Sequence, residues 1–153
     1  MSEVVSELPF LGDERTNRCH AAVMDQADTI WNRAALESGG STPGQGDKAL
    51  AAALRLHSSA MSDGVLDAVQ NMSDEELDAA EAGYRWLHVP AASEAIAEVR
   101  RAIADGALDD PDRASALDLA ADDHYDEAIE DDAALDNAFR ARLLTDPDAF
   151  STA

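Results

Sequence analysis

Asp122, Asp123, His124, Asp126 and Glu127 fall within six consecutive residues. On a helix, neighbours three and four apart share a face, and such a set is able to hold one hard cation. An EF-hand loop is excluded, because it needs a Gly at its sixth position and a Glu at its twelfth, and this stretch has no Gly. A solvated acidic face is the favoured account, and no metal is expected. His57 falls on the apolar stripe of its helix and reads as a packed or edge histidine, while His20 and His88 fall near helix termini, where dipole or solvent satisfies them. Ser41-Thr42-Pro43-Gly44-Gln45-Gly46 is Gly-rich, yet no strand precedes it and no suitably spaced Lys-Ser/Thr follows, as a phosphate loop requires. No zinc-protease, nucleophile-elbow or dinucleotide motif is present. Paired carboxylates for glycoside chemistry need a cleft and a raised pKa, which a helix face does not supply. The chain is therefore read as non-enzymatic, with no cofactor.

The stronger signal is charge density. Residues 105–136 carry thirteen acids, namely Asp105, Asp109, Asp110, Asp112, Asp118, Asp122, Asp123, Asp126, Glu127, Glu130, Asp131, Asp132 and Asp136, against one base, Arg113. At a helical rise of ~1.5 Å per residue this is one carboxylate per roughly 3.7 Å, close to the ~3.4 Å axial charge spacing of a single DNA strand. A protein shaped to grip phosphates would grip such a face through Arg-carboxylate forks instead.

The 153 residues carry 11 Lys and Arg against 32 Asp and Glu, a net charge of −21. Direct binding to nucleic acid or to an anionic membrane is thus disfavoured. No run approaches the ~18 apolar residues of a membrane span, and the N-terminus lacks the basic flank and apolar core of a signal peptide, so a cytoplasmic location is expected. The single Cys19 rules out an internal disulfide and a Cys-based zinc cluster. Leu, Ile, Val and Phe make up only 29 residues, a proportion typical of disorder at this charge, but 32 Ala favour helix and the large apolar residues recur at helical spacings. A thin core under self-repulsion implies help from salt or from a second subunit.

Those spacings define the elements. Residues 1–15 read as an N-terminal arm docked by Phe10, and residues 16–150 as one acidic helical domain. A first helix starts at Thr16 or Asn17, turns Val23, Ala27, Ile30, Trp31 and Ala34 inward, and ends near Glu37 before a Gly-rich loop. Asp47 caps a second helix with a stripe of Leu50, Leu54, His57 and Met61. A short turn with Val65, Leu66 and Val69 follows the break at Gly64. Ser73-Asp74-Glu75-Glu76 is a capping box that opens a helix through Tyr84 and Leu87, which the pre-proline Val89 ends. Pro90 begins a helix with Ala92, Ile96, Val99 and Ile103 inward, stopping at Gly106. Beyond the turn at Asp109-Asp110-Pro111-Asp112 come stripes of Leu117, Ala121, Tyr125, Ile129 and of Leu135, Phe139, Leu143. No strand pattern occurs, so the predicted fold is all-α, a single irregular bundle of six or seven helices.

Asp28-Thr29-Ile30-Trp31-Asn32, the stretch from Ser62-Asp63-Gly64-Val65 to Asn71, the Ala-rich helix through Tyr84 into Pro90-Ala91-Ala92, Asp123-His124-Tyr125 and Asp146-Pro147-Asp148-Ala149-Phe150 occur in this order. Over about residues 25–150 this order resembles the DNA mimic protein 19 family, a bacterial all-helical domain. Gly64 and Asn71 match the family's turn, whereas Val65 and Val69 stand where bulky aromatics are usual. The resemblance implies a dimeric acidic protein that occupies the DNA-binding surface of a helix-turn-helix repressor. Individual acids do not carry over from it, so the thirteen residues above rest on charge alone. Three expectations follow. The first is a mimic bound to a basic DNA-binding regulator, the second an immunity protein for a basic toxin or nuclease, and the third an acidic domain whose charge reflects a high-salt habitat. Trp31, Trp86 and Phe150 are candidates for a homodimer interface, with core burial the favoured use.

Overall fold

The computed structural model describes residues 14–151, with side chains described from residue 26 onward. Seven α-helices make up the described chain, with no strand: α1 Glu14–Glu37, α2 Gln45–Asp63, α3 Val65–Asn71, α4 Asp74–Trp86, α5 Pro90–Ala104, α6 Pro111–Ala128 and α7 Asp132–Thr145. One-turn 3-10 segments at Ala107–Asp109 and Pro147–Ala149 complete it. The fold is an all-α bundle in which α2 packs against α1, α3 and α4, and α5 joins α4 to α6.

Local chemistry explains most of the boundaries. The Ser73 hydroxyl accepts from the Glu76 backbone N–H at 3.2 Å and the Glu76 carboxylate accepts from the Ser73 N–H at 3.0 Å, the reciprocal pattern of a capping box. Asp110 and Asp131 cap α6 and α7 by a single side-chain acceptor each, taking the N–H of Asp112 and of Ala134. Gly64 sits at φ 93°, a conformation that L side chains resist, and separates α2 from α3. Helix α4 ends through His88 at φ 63°, whose left-handed geometry lets the Val89 N–H reach back to the Tyr84 carbonyl at 2.8 Å.

Four expectations change. Helix α1 begins at Glu14, so neither Thr16 nor Asn17 caps it. Asp47 lies inside α2, whose N-cap is Gly44; its carboxylate accepts from the Gly44 N–H at 3.0 Å. Met61 continues the four-residue spacing of α2 but is 49 % exposed, because the buried face steps from His57 to Ala60 and leaves Met61 beside it. Ile103 and Leu117 are half-buried at the ends of their stripes. Of the arm expected at residues 1–15, Glu14 and Arg15 belong to α1, while residues 1–13, with Phe10, lie outside the described residues, as do the side chains of His20 and Val23.

The core is built from Tyr84, Tyr125, Phe139, Ile30, Leu50 and Leu56 among its largest members, with many alanines between them. Small residues let the helices approach closely. A Cβ on Gly83 of α4 would stand 2.5 Å from the Ala49 carbonyl oxygen of α2. Trp31 and Trp86 pack on this core, and Phe150 is buried in it: Phe139 meets Trp31 and Phe150 at ring separations of 5.9 and 5.5 Å, and Phe150 meets Trp86 at 5.6 Å.

Charge ties the C-terminal segment to α1 and α2. Asp47, fully buried, accepts from Arg33 of α1 at 2.9 Å and from the Ser151 N–H at 2.6 Å, while Arg33 also donates to the Ser151 carbonyl. A buried carboxylate needs this many donors to offset its lost hydration.

Candidate partner-binding acidic face

The thirteen acids of 105–136 lie on α6, on the turns at its two ends and on the start of α7, which carries Asp132 and Asp136. Only one side of α6 is covered: Ala121 and Tyr125 are buried and Ala114, Leu117 and Ala128 half-buried, at the three- and four-residue spacing of a single face. The outward side carries Asp112, Asp118, Asp123, Asp126 and Glu127, along a helix about 27 Å long at ~1.5 Å per residue. Leu119, 70 % exposed, sits among them.

The structure sorts the acids into two groups. Five are used internally. Asp110 and Asp131 cap helices; Asp122 accepts from the Val65 backbone N–H at 3.0 Å and so fixes the start of α3; Asp132 lies 2.6 Å from His57; and Asp136 takes Arg140 at 2.9 Å. The other eight, Asp105, Asp109, Asp112, Asp118, Asp123, Asp126, Glu127 and Glu130, are exposed and make no hydrogen bond or ion pair among the described residues. Sequence reasoning grouped all thirteen, because capping and long-range contacts are invisible to a count of charges.

Arginine placement sharpens the contrast. Arg100 of α5 gathers Asp78 at 2.8 Å, Asp74 at 3.4 Å and Glu81 from α4, and its hydrogen bond to Asp78 is the main reason its guanidinium is held still more firmly charged. Arg140 bridges Asp136 and Asp28 of α1. Arg55 pairs with Glu76, and Arg142 stacks over Trp86 at 4.1 Å. Each of these draws its acids from outside the outer face of α6, which keeps Arg113 alone.

The mixed cluster on α6 does not converge on a point. His124 turns to Glu98 of α5 at 3.0 Å while Asp122 turns to α3, and among the described residues no group of three His, Cys, Asp or Glu side chains is placed to hold a metal ion. Among the same residues no helix is long and apolar enough to cross a membrane. Scans against protein-family models, curated proteins and solved structures found no match to this chain.

Proposed function

We propose that the protein is an acidic DNA mimic: it binds the DNA-binding surface of a basic DNA-binding protein, a helix-turn-helix regulator by preference, and blocks access to DNA. The observation that supports this reading is the set of eight exposed carboxylates without internal partners, concentrated on α6 and its flanking turns. Unpaired carboxylates keep their full charge available for Arg-carboxylate forks, whereas the acids held by Arg100 and Arg140 are already neutralised. The resemblance to the DNA mimic protein 19 family points the same way and takes the working unit as a homodimer. Two such faces would meet the paired DNA-binding units of a dimeric regulator, which read half-sites ~34 Å apart.

The test is an affinity capture from the source organism's lysate, with wild type and the variant D118N/D123N/D126N/E127Q side by side. Asp122 is left intact because it holds α3. A basic DNA-binding protein retained by wild type, released by duplex DNA and lost from the variant is the expected result. A nuclease or toxin that DNA fails to displace would replace mimicry with immunity, and equal retention by the variant would mean that another face binds.

A further inference from the structure

Behind the acidic face, four side chains from four helices meet: His57 of α2, Tyr84 of α4, Tyr125 of α6 and Asp132 of α7. His57 is 4 % exposed and both tyrosines are fully buried. Imidazole Nδ1 lies 2.8 Å from the Tyr125 hydroxyl and Nε2 lies 2.6 Å from Asp132 Oδ1. The two phenol oxygens are 2.7 Å apart, and the Tyr84 hydroxyl stands 3.2 Å from the Ala53 carbonyl.

Counting protons gives this chain two complete arrangements. Each phenol has one hydrogen to donate, and burial pushes both hydroxyls above their ordinary value near 10, so both keep it. With His57 neutral and its proton on Nε2, the imidazole donates to Asp132, Tyr125 donates to Nδ1 and Tyr84 donates to Tyr125. The Ala53 carbonyl then still has its helical partner, the His57 backbone N–H. With His57 charged, both ring N–H groups donate, to Asp132 and to the Tyr125 oxygen; Tyr125 donates to Tyr84 and Tyr84 to the Ala53 carbonyl. Neither arrangement leaves a buried donor without an acceptor. The third possibility, a neutral ring protonated on Nδ1, would set the Nε2 lone pair against a carboxylate.

We propose that this chain is a proton-operated latch: uptake of a proton by His57 reverses the hydrogen bonds through Tyr125 and Tyr84 and tightens the first turn of α7 onto α2. The charged form gains an ion pair with Asp132 that the neutral form lacks. From α7, Asp132 bonds the imidazole and shares a groove with Asp136 and Arg140 of the same helix and with Asp28 and Trp31 of α1; α6 brings Asp126 beside Tyr125, and α4 brings the uncharged Tyr84. The latch is therefore closed on the acid side of the imidazole titration and relaxes as pH rises through it. Asp132 is 81 % exposed, so solvent screening keeps the effect local to α7. The latch is independent of what the acidic face binds.

Two measurements on the full-length protein test it. Nitrogen-15 NMR of labelled histidine from pH 5 to 8 is expected to show His57 protonated on Nε2 alone at the alkaline end and on both nitrogens at the acid end. Hydrogen exchange of α7, corrected for the intrinsic pH dependence, is expected to be about fivefold slower at pH 5.5 than at pH 7.5. D132N should abolish that difference, while H124Q, which removes the other imidazole-carboxylate pair on α6, should leave it. A neutral ring carrying its proton on Nδ1, a ring that does not titrate across this range, or an α7 profile unchanged in D132N would each overturn the latch.

Discussion

Both tyrosines of the chain, Tyr84 and Tyr125, belong to one buried hydrogen-bonded pair, their hydroxyls 2.7 Å apart. Desolvation is the largest cause raising either phenol above 10.0, and the mutual contact adds to it for Tyr84. In the unfolded chain both would ionise near 10. Folding thus favours the protonated phenols, so their contribution to stability is complete below pH 10 and is lost as pH rises beyond it toward the higher folded values. Absorbance near 295 nm, which reports tyrosinate, is expected to stay flat past pH 10 and then rise in one step together with loss of helical circular dichroism. A gradual rise near pH 10 with the helices intact would show that the pair is open to solvent. His57 was legible in the sequence as a packed histidine on an apolar stripe. Its partners were not, because Tyr84, Tyr125 and Asp132 are 27, 68 and 75 positions away and meet it only when α4, α6 and α7 are in place.

Helix ends show the same division at the next scale. The Ser73 box, the Asp110 cap and the stop at Gly106 act over three or four residues, and each was readable from residue type. S73A is expected to cost about 1 kcal/mol in urea denaturation, the usual value of such a cap. His88 tells the opposite story: nothing in its residue type asks for φ 63°, and it adopts that geometry because α4 must turn sharply before Pro90 starts α5. H88G is expected to raise stability by about 0.5–1 kcal/mol, since glycine enters the left-handed region without a Cβ clash. An unchanged or lower denaturation midpoint would mean that the His88 side chain contributes more than its backbone costs. Asp47 sits one turn inside α2 instead of at its N-cap for a tertiary reason: Arg33 of α1 and the Ser151 N–H of the C-terminal segment both donate to its buried carboxylate.

For the whole molecule, the balance is between a bundle held by small, closely packed residues and a net charge of −21. The acids on α6 without partners repel one another at three- and four-residue spacing and gain nothing internally in return. D118N/D123N/D126N/E127Q is therefore expected to melt about 3 °C higher than wild type at 20 mM salt. The gap should close as the Debye length falls toward ~3 Å at molar salt. A variant that melts lower at every salt would place these carboxylates in the fold's own support. Wild-type stability that keeps climbing through molar salt, with no levelling once screening is complete, would favour the high-salt account of the charge.

The all-α class, the order of the helices, most of their caps and the concentration of acids on 105–136 were legible in residue type and spacing alone. These depend on residue type, on spacing of three and four, and on composition, all of which are local. Which of those acids are available follows from how the helices pack. Five of the thirteen are used by contacts to backbone, His57 or Arg140, and eight are left facing outward. A carboxylate's worth to a partner depends on whether the fold has already supplied it with a donor, and that donor comes from whichever helix the packing brings beside it.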